Sequence, residues 1–280
     1  MGNHCASCPY APELLKTPPF FPIRAKGNAL DLTLKSGHYQ VLFARRIVAV
    51  SIFDGIPFFK GLDVKRVAKF ERLCQRKRFS ENELVVDFDD ESMDVYFIVA
   101  GDVRVLNRTA AGKEIILGDF HAGNFFGEMA AIDAAHRSAN VTALTNAEVL
   151  IVPPAVFCEI VYSEPQICER LMRIFTDRVR QLNARLFERS VLDLRHRLYA
   201  ELLRMSIPRQ GAKDQSIVSP PPFQHDLAAR IGCRREQVSR ELTAMIEDGL
   251  LEKARGGLVL PRPKLLQKRI QDAMNEVDSG

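Results

Sequence analysis

The chain contains 280 residues, which is enough for two compact domains that each bury a hydrophobic core. Hydrophobic residues make up 46% of the chain and charged residues 26%, as in ordinary globular proteins. The net charge of +4 is too small to indicate nucleic-acid binding by itself, so any such site must come from a local cluster of basic residues.

No apolar run reaches membrane-spanning length, and the N-terminus lacks the basic-then-apolar order of a signal peptide. The six cysteines are scattered, which is typical of reduced thiols. We therefore expect a soluble cytoplasmic protein with no membrane partner.

The first 40 residues are rich in proline and polar residues, which indicates a loosely packed extension. Cys5 and Cys8 are separated by two residues, a spacing that provides half of a zinc or iron–sulfur site. A complete site needs two more ligands, for which His4 and Cys74 are the candidates. The alternative is two free cysteines in a tail, and we expect no bound metal.

A short helix is predicted over residues 40–50 and a loop followed by a second helix over residues 53–73. Between Arg78 and Pro153 the apolar residues alternate with polar ones, and turns containing Gly101, Gly112 and Gly123 separate short β-rich runs. This spacing predicts an antiparallel sandwich or roll. The predicted strands cover residues 84–86, 95–99, 103–106, 114–117 and 149–152.

The segment from Phe125 to Val141 places a glycine, a carboxylate and an Arg-Ser pair between strand-like runs. Gly127 lets the backbone approach a ligand and opens a turn whose N–H groups can face an anion. Arg137 offers a planar fork of donors that fits a phosphate, and Ser138 adds a hydroxyl. Glu128 would repel phosphate, so its predicted partner is a sugar hydroxyl. The segment predicts a site for a ribose joined to a phosphate; the alternative is a surface turn with a structural Arg–Glu pair.

A short helix around residues 156–162 precedes a long helical segment that begins at Pro165. Apolar residues recur along the long segment at three- and four-residue steps and form one stripe. A stripe of this length indicates a coiled-coil contact between two copies of the chain, and the alternative is a core helix packed on the roll. The stripe consists of Ile167, Leu171, Phe175, Val179, Leu182 and Leu186.

After a helix over residues 196–205 and a loop, residues 224–242 have helix-turn-helix spacing. Ala228 is small where two helices must cross, Gly232 suits the turn, and Val238 anchors the second helix. Residues that suit base edges and phosphates follow the turn, which favours DNA over a solvated charged face. They are Arg234, Arg235, Glu236, Gln237, Ser239 and Arg240. Residues 250–251 and 255–260 are predicted to form the two strands of a wing.

These segments, in this order, resemble the Crp/Fnr family of bacterial transcription regulators over about residues 51–262. Residues 127–139 are similar to the phosphate-binding cassette of cyclic-nucleotide-binding domains, and residues 232–240 are similar to the family's recognition helix. The resemblance implies an α+β fold in which a jelly-roll-like β-roll, a long dimerisation helix and a winged helix-turn-helix domain follow one another. The implied boundaries are an extension at 1–50, the roll at 51–164, the long helix at 165–194, the winged domain at 195–265 and a tail at 266–280.

The resemblance also implies the ligand and its contacts. Cyclic AMP is expected ahead of cyclic GMP as an allosteric ligand. Leu182 and Asn183 stand where the cyclic-AMP-binding pattern has a Thr-Ser pair that reaches the adenine, and this departure leaves the choice of nucleotide open. The implied cyclic-nucleotide contacts are Gly127, Glu128, Met129, Arg137, Ser138, Leu182 and Asn183.

The implied partners are double-stranded operator DNA, a second copy of the chain and RNA polymerase. We interpret the protein as a homodimeric regulator rather than an enzyme, since no nucleophile–base constellation is present in the sequence. Two alternatives stay open: a redox or metal sensor that uses Cys5 and Cys8, and a cyclic-nucleotide-binding module that acts through a protein partner.

Overall fold

The computed structural model describes residues 51–277, apart from 54 and 110–111. The predicted N-terminal extension, the helix predicted over residues 40–50, and Cys5 and Cys8 lie outside the described residues. No helix in the described part of the chain combines the length and the apolar character that crossing a membrane requires.

The first part of the described chain is a β-roll of two four-stranded sheets whose neighbouring strands pair antiparallel. One sheet has the strand order β1-β8-β3-β6 and the other β2-β7-β4-β5. The strands are β1 (Gln75–Phe79), β2 (Leu84–Val86), β3 (Val95–Ala100), β4 (Asp102–Arg108), β5 (Glu114–His121), β6 (Phe125–Phe126), β7 (Asn140–Ala143) and β8 (Ala147–Val152).

Strand β3 is buried on both of its faces, which explains its nearly continuous hydrophobic sequence. Val95 and Phe97 face a core that includes the helices beside the roll. Tyr96 and Ile98 point the opposite way, into the core between the two sheets. The first sheet is therefore the middle layer of the domain, between the helices and the second sheet.

The core on the helical side of this layer is rich in phenylalanine. Phe97 packs with its ring centroid 4.5 Å from that of Phe59 and 5.2 Å from those of Phe58 and Phe125. Ile167, at the start of the long helix, belongs to the same core. The first turns of the long helix therefore pack in the same core as Phe125 of β6, the strand that leads into the candidate ligand site.

The helices of the described chain follow the predicted order. They are α1 (Val64–Glu71), α2 (Glu128–Asp133), α3 (Pro154–Ser163), α4 (Pro165–Val191), α5 (Leu194–Met205), α6 (Gln224–Ile231), α7 (Arg235–Glu247) and α8 (Pro263–Val277). Helix α4 is 27 residues long; Ile167 and Leu171 are buried, whereas Val179, Leu182 and Leu186 are exposed. The N-terminal part of the predicted stripe therefore packs in the core, and its C-terminal part is exposed.

Helices α5 to α8 surround a second core and a small sheet with the strand order β11-β12-β10-β9. Its strands are β9 (Ile207–Pro208), β10 (Ser216–Val218), β11 (Glu252–Ala254) and β12 (Gly257–Leu260). The β11–β12 hairpin is the wing, and the predicted fold class, a β-roll joined by a long helix to a winged helix-turn-helix domain, is confirmed.

Several local features differ from the sequence prediction. Strand β1 was not predicted because its sequence is almost entirely polar and four of its five residues are exposed at a sheet edge. Helix α2 and strand β7 are too short to show a clear period. Leu250 and Leu251 are buried residues that precede β11 rather than part of it. The predicted tail contains most of α8, whose Leu266 packs into the second core.

Two glycines with the same left-handed backbone offer a matched test of this packing. A Cβ on Gly101 (φ +81°) would lie 2.4 Å from the Asn146 carbonyl oxygen, whereas a Cβ on Gly112 (φ +76°) meets no described atom within 4 Å. We expect Gly112→Ala to cost about 1 kcal/mol of backbone strain. Gly101→Ala should cost about 1–3 kcal/mol more, because backbone must move. Urea unfolding of both variants measures the difference, and equal losses would contradict the packing at β4.

Candidate functional sites

The predicted anion site is built around the turn between β6 and α2. Gly127 is the N-cap of α2 and has φ +84°. A Cβ at this position would lie 2.6 Å from Nη1 of Arg137 and 2.7 Å from the carbonyl oxygen of Asp94. Only glycine combines the left-handed backbone with this close approach. The turn therefore brings the backbone directly against the predicted phosphate-binding arginine.

Arg137 is 3% exposed, and its guanidinium is fixed by protein acceptors. It donates to the carbonyl oxygens of Gly127 (3.1 Å) and Asp94 (3.0 Å) and to Oγ of Ser92 (2.8 Å). It also lies over the ring of Tyr96 at 5.6 Å. Its buried Nε has no hydrogen-bond partner among the described residues. A buried cation with an unused donor suits an anionic ligand.

Glu128 is also 3% exposed, and its Oε1 accepts a hydrogen bond from Arg178 of α4. Burial raises the pKa of Glu128 above its usual value, and the Arg178 guanidinium opposes part of this rise. Arg178 also donates to the carbonyl oxygen of Phe125 at 2.9 Å and lies over the rings of Phe120 and Phe125 at about 5 Å. The long helix is thereby joined to the candidate ligand site by one charged side chain.

The sequence did not identify Arg178 as a site residue. It is one of six arginines on α4, and nothing in the local pattern distinguishes it. Its role follows only from the docking of α4 against the β6–α2 turn.

The remaining predicted ligand contacts lie at the surface. Ser138 is exposed, with its Oγ 3.8 Å from the sulfur of Met129, which is also exposed. Leu182 lies one helical turn beyond Arg178, and both Leu182 and Asn183 are exposed on α4. The structure brings Gly127, Glu128 and Arg137 together, and it leaves Leu182 and Asn183 exposed on α4.

The predicted DNA-reading residues surround the start of α7. Gly232 ends α6 with φ +74°, and Val238 is fully buried, so α7 is fixed against α6. The Gln237 side-chain oxygen accepts from the N–H of Arg234 at 3.0 Å and therefore caps the helix. The predicted residues that are exposed here are Arg234, Arg235, Glu236 and Arg240, whereas Gln237 and Ser239 are half-buried.

Within the described residues, no group of three or more His, Cys, Asp or Glu side chains is placed to hold a metal ion. Cys74 and Cys158 are half-buried free thiols of the roll, and burial raises the pKa of Cys74 to about 12. Cys74 is therefore protonated and a poor metal ligand at neutral pH.

Two sequence families match the chain in consecutive segments. The cyclic nucleotide-binding domain matches residues 76–163, and the Crp-like helix-turn-helix domain matches residues 169–269.

The chain is similar to curated proteins over most of their length. It is 28% identical to the cyclic AMP receptor protein of Thermus thermophilus, over 76% of this chain and 96% of that protein. It is 26% identical to the cAMP-activated global transcriptional regulator Vfr of Pseudomonas aeruginosa, over 67% of this chain and 90% of that protein.

Among solved structures, similarity extends to the c-di-GMP responsive global regulator CLP of Xanthomonas campestris, with a TM-score of 0.60, 21% identity and coverage of 71% of this chain and 99% of that one. A CooA mutant of Carboxydothermus hydrogenoformans matches with a TM-score of 0.61, 20% identity and coverage of 71% and 88%. At these identities the structural similarity supports the fold alone.

The Glu128–Arg178 pair predicts a pH-dependent loss of stability in Arg178→Ala. Without Arg178 the buried carboxylate loses its counter-charge, so the pKa of Glu128 should rise further. The loss in the free energy of unfolding should be smallest at a pH below 4.5, the ordinary pKa of a glutamate, where the carboxyl is protonated in both folded and unfolded protein. It should grow as the pH rises through the folded pKa, to about 3 kcal/mol at neutral pH. Urea unfolding of wild type and Arg178→Ala, once below pH 4.5 and once at neutral pH, measures how the loss depends on pH.

Arg173→Ala is the matched control, because Arg173 lies on the same helix in an exposed pair with Glu169. It should change stability little at either pH. Adding Glu128→Gln to Arg178→Ala should recover part of the loss. A pH-independent loss, or no recovery in the double variant, would contradict this account of the pair.

Proposed function

The chain belongs to the Crp/Fnr family of transcription regulators, and we propose that it is a homodimeric regulator that binds cyclic AMP and reads an inverted-repeat operator. The observation that carries the proposal is the buried Arg137, whose Nε is unused beside the Gly127 turn. The same chain exposes Arg234, Arg235 and Arg240 at the start of α7. Members of this family are transcription regulators and not enzymes.

The chemistry of the side chains around the Gly127 turn supports a cyclic nucleotide. A phosphate oxygen would accept from Arg137, whose guanidinium is already held in place, and Ser138 would add a hydroxyl at the exposed side. Glu128 has acceptor positions in addition to the one that Arg178 uses, so its carboxylate suits a ribose hydroxyl. Met129 would contribute apolar contact beside Ser138. A phosphate at Arg137 and a hydroxyl at Glu128 fit a ribose with a cyclic phosphate.

The choice of cyclic AMP ahead of cyclic GMP rests on relatives named for cyclic AMP. Asn183 would reach the purine with an amide that both donates and accepts, and Leu182 would pack on the ring. Both residues are exposed on α4, one helical turn beyond Arg178. The base would therefore be recognised at the surface where the second protomer is proposed to bind.

The uncovered half of α4 supports a homodimer. Val179, Leu182 and Leu186 are 55%, 59% and 66% exposed, and they follow at three- and four-residue steps. A 27-residue helix with such a seam suits packing against its own copy, which would bury these side chains. A two-fold dimer presents two copies of α7 and so predicts an operator with two-fold symmetry.

Helix α7 supports reading of the major groove. Arg235 can donate to both acceptors of a guanine, Glu236 can accept from a cytosine amino group, and Arg240 lies exposed one turn further on. Half-sites resembling TGTGA are expected. RNA polymerase is the proposed protein partner once the regulator is bound to DNA.

The ligand proposal predicts that Arg137→Ala loses cyclic-nucleotide binding. Removing the buried, charge-assisted fork should cost about 2–5 kcal/mol of binding free energy. Calorimetric titration of wild type and variant with cyclic AMP and with cyclic GMP measures the loss and the preference together. Arg173→Ala is the control for removing one exposed arginine. Wild-type affinity in folded Arg137→Ala would contradict the site, and tighter binding of cyclic GMP by wild type would contradict the choice of ligand.

The DNA proposal predicts a change of base preference in Arg235→Ala. One guanine in each half-site should lose about 1–3 kcal/mol of discrimination, while the salt dependence set by phosphate contacts should remain. Selection of binding sites from random DNA measures the preference. Lys268→Ala, which removes an exposed charge on α8, should leave it unchanged. An unchanged preference in Arg235→Ala, or a wild-type site without two-fold symmetry, would contradict the assignment; absence of sequence-selective binding would favour action through a protein partner.

A further inference from the structure

A cluster of alternating charges lies where the helix-turn-helix domain meets the β-roll. Arg104 of β4 donates through Nε to Asp119 of β5 at 2.8 Å, and its Nη1 lies 2.8 Å from Oδ1 of Asp226 on α6. Arg230, also on α6, pairs with the other carboxylate oxygen of Asp119. Each domain therefore contributes one arginine and one aspartate, and every arginine bridges to the opposite domain. We call these four residues the domain latch.

The domain latch is largely removed from solvent. The side-chain exposure is 7% for Arg230, 11% for Asp226, 15% for Arg104 and 19% for Asp119. Exposed ion pairs contribute little to stability. When one partner of a buried ion pair moves away, however, the other is left as an uncompensated buried charge, which is costly. Because the four side chains share their partners, no single pair separates without disturbing the others. The latch therefore favours one docked orientation of α6 on the roll over a set of loose ones.

The ion network continues from the domain latch into the long helix. Arg230 approaches Glu201 of α5 at 3.5 Å, and Arg204 pairs with Glu201 at 2.6 Å and with Glu188 of α4 at 2.5 Å. Arg185, also on α4, donates to the carbonyl oxygen of Leu117 on β5 at 2.6 Å. Strand β5 and the C-terminal end of α4 therefore both contact the helix-turn-helix domain.

Strand β5 also reaches the candidate nucleotide site. Phe120 follows Asp119 directly, so its side chain points to the opposite face of the strand. The guanidinium of Arg178, which pairs with Glu128, lies 5.1 Å from the centre of the Phe120 ring. One residue step along β5 therefore separates a contact with the ligand site from a contact with the DNA-binding domain.

The docked orientation leaves the reading face of α7 free. Arg235, Glu236 and Arg240 are all exposed, while the contact with the roll is made by α6. The contact therefore orients α7 without covering it.

We propose that the domain latch fixes the orientation of the DNA-binding domain on the β-roll, and that β5 couples this orientation to the nucleotide site. In a dimer, two latched domains hold both α7 helices at one spacing. This regulatory consequence rests on the proposed function, whereas the latch itself is a property of the free protein. Loss of the latch frees the domain to turn about the short connection between the end of α4 at Val191 and the start of α5 at Leu194.

The test uses two neutral substitutions, one in each domain, in the full chain: Asp226→Asn and Arg104→Gln. Hydrogen exchange of the free protein is followed in peptides that cover β5, α6 and the central strand β3. Asp226→Asn should speed exchange in β5, across the interface, and Arg104→Gln should speed exchange in α6. Strand β3 should be unchanged in both. Faster exchange confined to the domain that carries the substitution would overturn the latch.

Asp214→Asn is the matched control. Asp214 pairs with Lys264 inside the DNA-binding domain, and its φ of +62° is one that asparagine tolerates. It should change exchange in neither β5 nor α6. In wild type, added cyclic AMP should change exchange in both the roll and α6. In Asp226→Asn, cyclic AMP should change exchange in the roll and leave α6 unchanged. A full response of α6 in Asp226→Asn would overturn the coupling through β5.

DNA binding separates the latch from the proposed function. With saturating cyclic AMP, Asp226→Asn should bind a two-half-site duplex about tenfold more weakly than wild type, because a freely turning domain loses preorganisation. Binding to a single half-site should be unchanged, since α7 is intact. Equal loss on both duplexes, or no loss on either, would overturn the orienting role. A wild type that binds neither duplex would refute the proposed function, and the exchange experiment would still decide the latch.

Discussion

The buried contact between Glu128 and Arg178 is the interaction on which the arrangement of this protein depends. A carboxylate that is 3% exposed needs a counter-charge, and the long helix provides one. The position of α4 is therefore linked to the turn that carries the candidate ligand site. Any ligand that competes for Glu128, or that adds negative charge beside Arg137, acts on the same electrostatic balance.

This linkage extends beyond the site because α4 is one continuous helix of 27 residues that contacts three parts of the chain. Its first turns are anchored in the phenylalanine core through Ile167, its middle pairs with Glu128, and its last turns contact β5 and α5 through Arg185 and Glu188. The uncovered seam lies between these contacts. We therefore expect a shift of α4 at the ligand site to reach both the proposed dimer seam and the DNA-binding domain.

The strongest sequence predictions rest on local chemistry. The glycine-bearing turns, the alternating strands, the α6–α7 spacing around Gly232 and the site trio Gly127, Glu128 and Arg137 need only nearby residues to be recognised. The missed elements lack a local signal. Strand β1 is polar because it is an exposed edge, and its arginines pair with Glu148 of the neighbouring strand, 70 or more residues away in the chain.

The sequence by itself determined the order of the parts and the chemistry of their key residues, because strand period, helix period and turn glycines are set by neighbours in the chain. Only the tertiary structure decided which of the α4 arginines pairs with Glu128, and that Arg104, Asp119, Asp226 and Arg230 form one cluster. Asp119 and Arg230 are 111 residues apart in the chain. Charged side chains carry no periodic signature of their partners, so their pairing is fixed only when two packed surfaces bring them together.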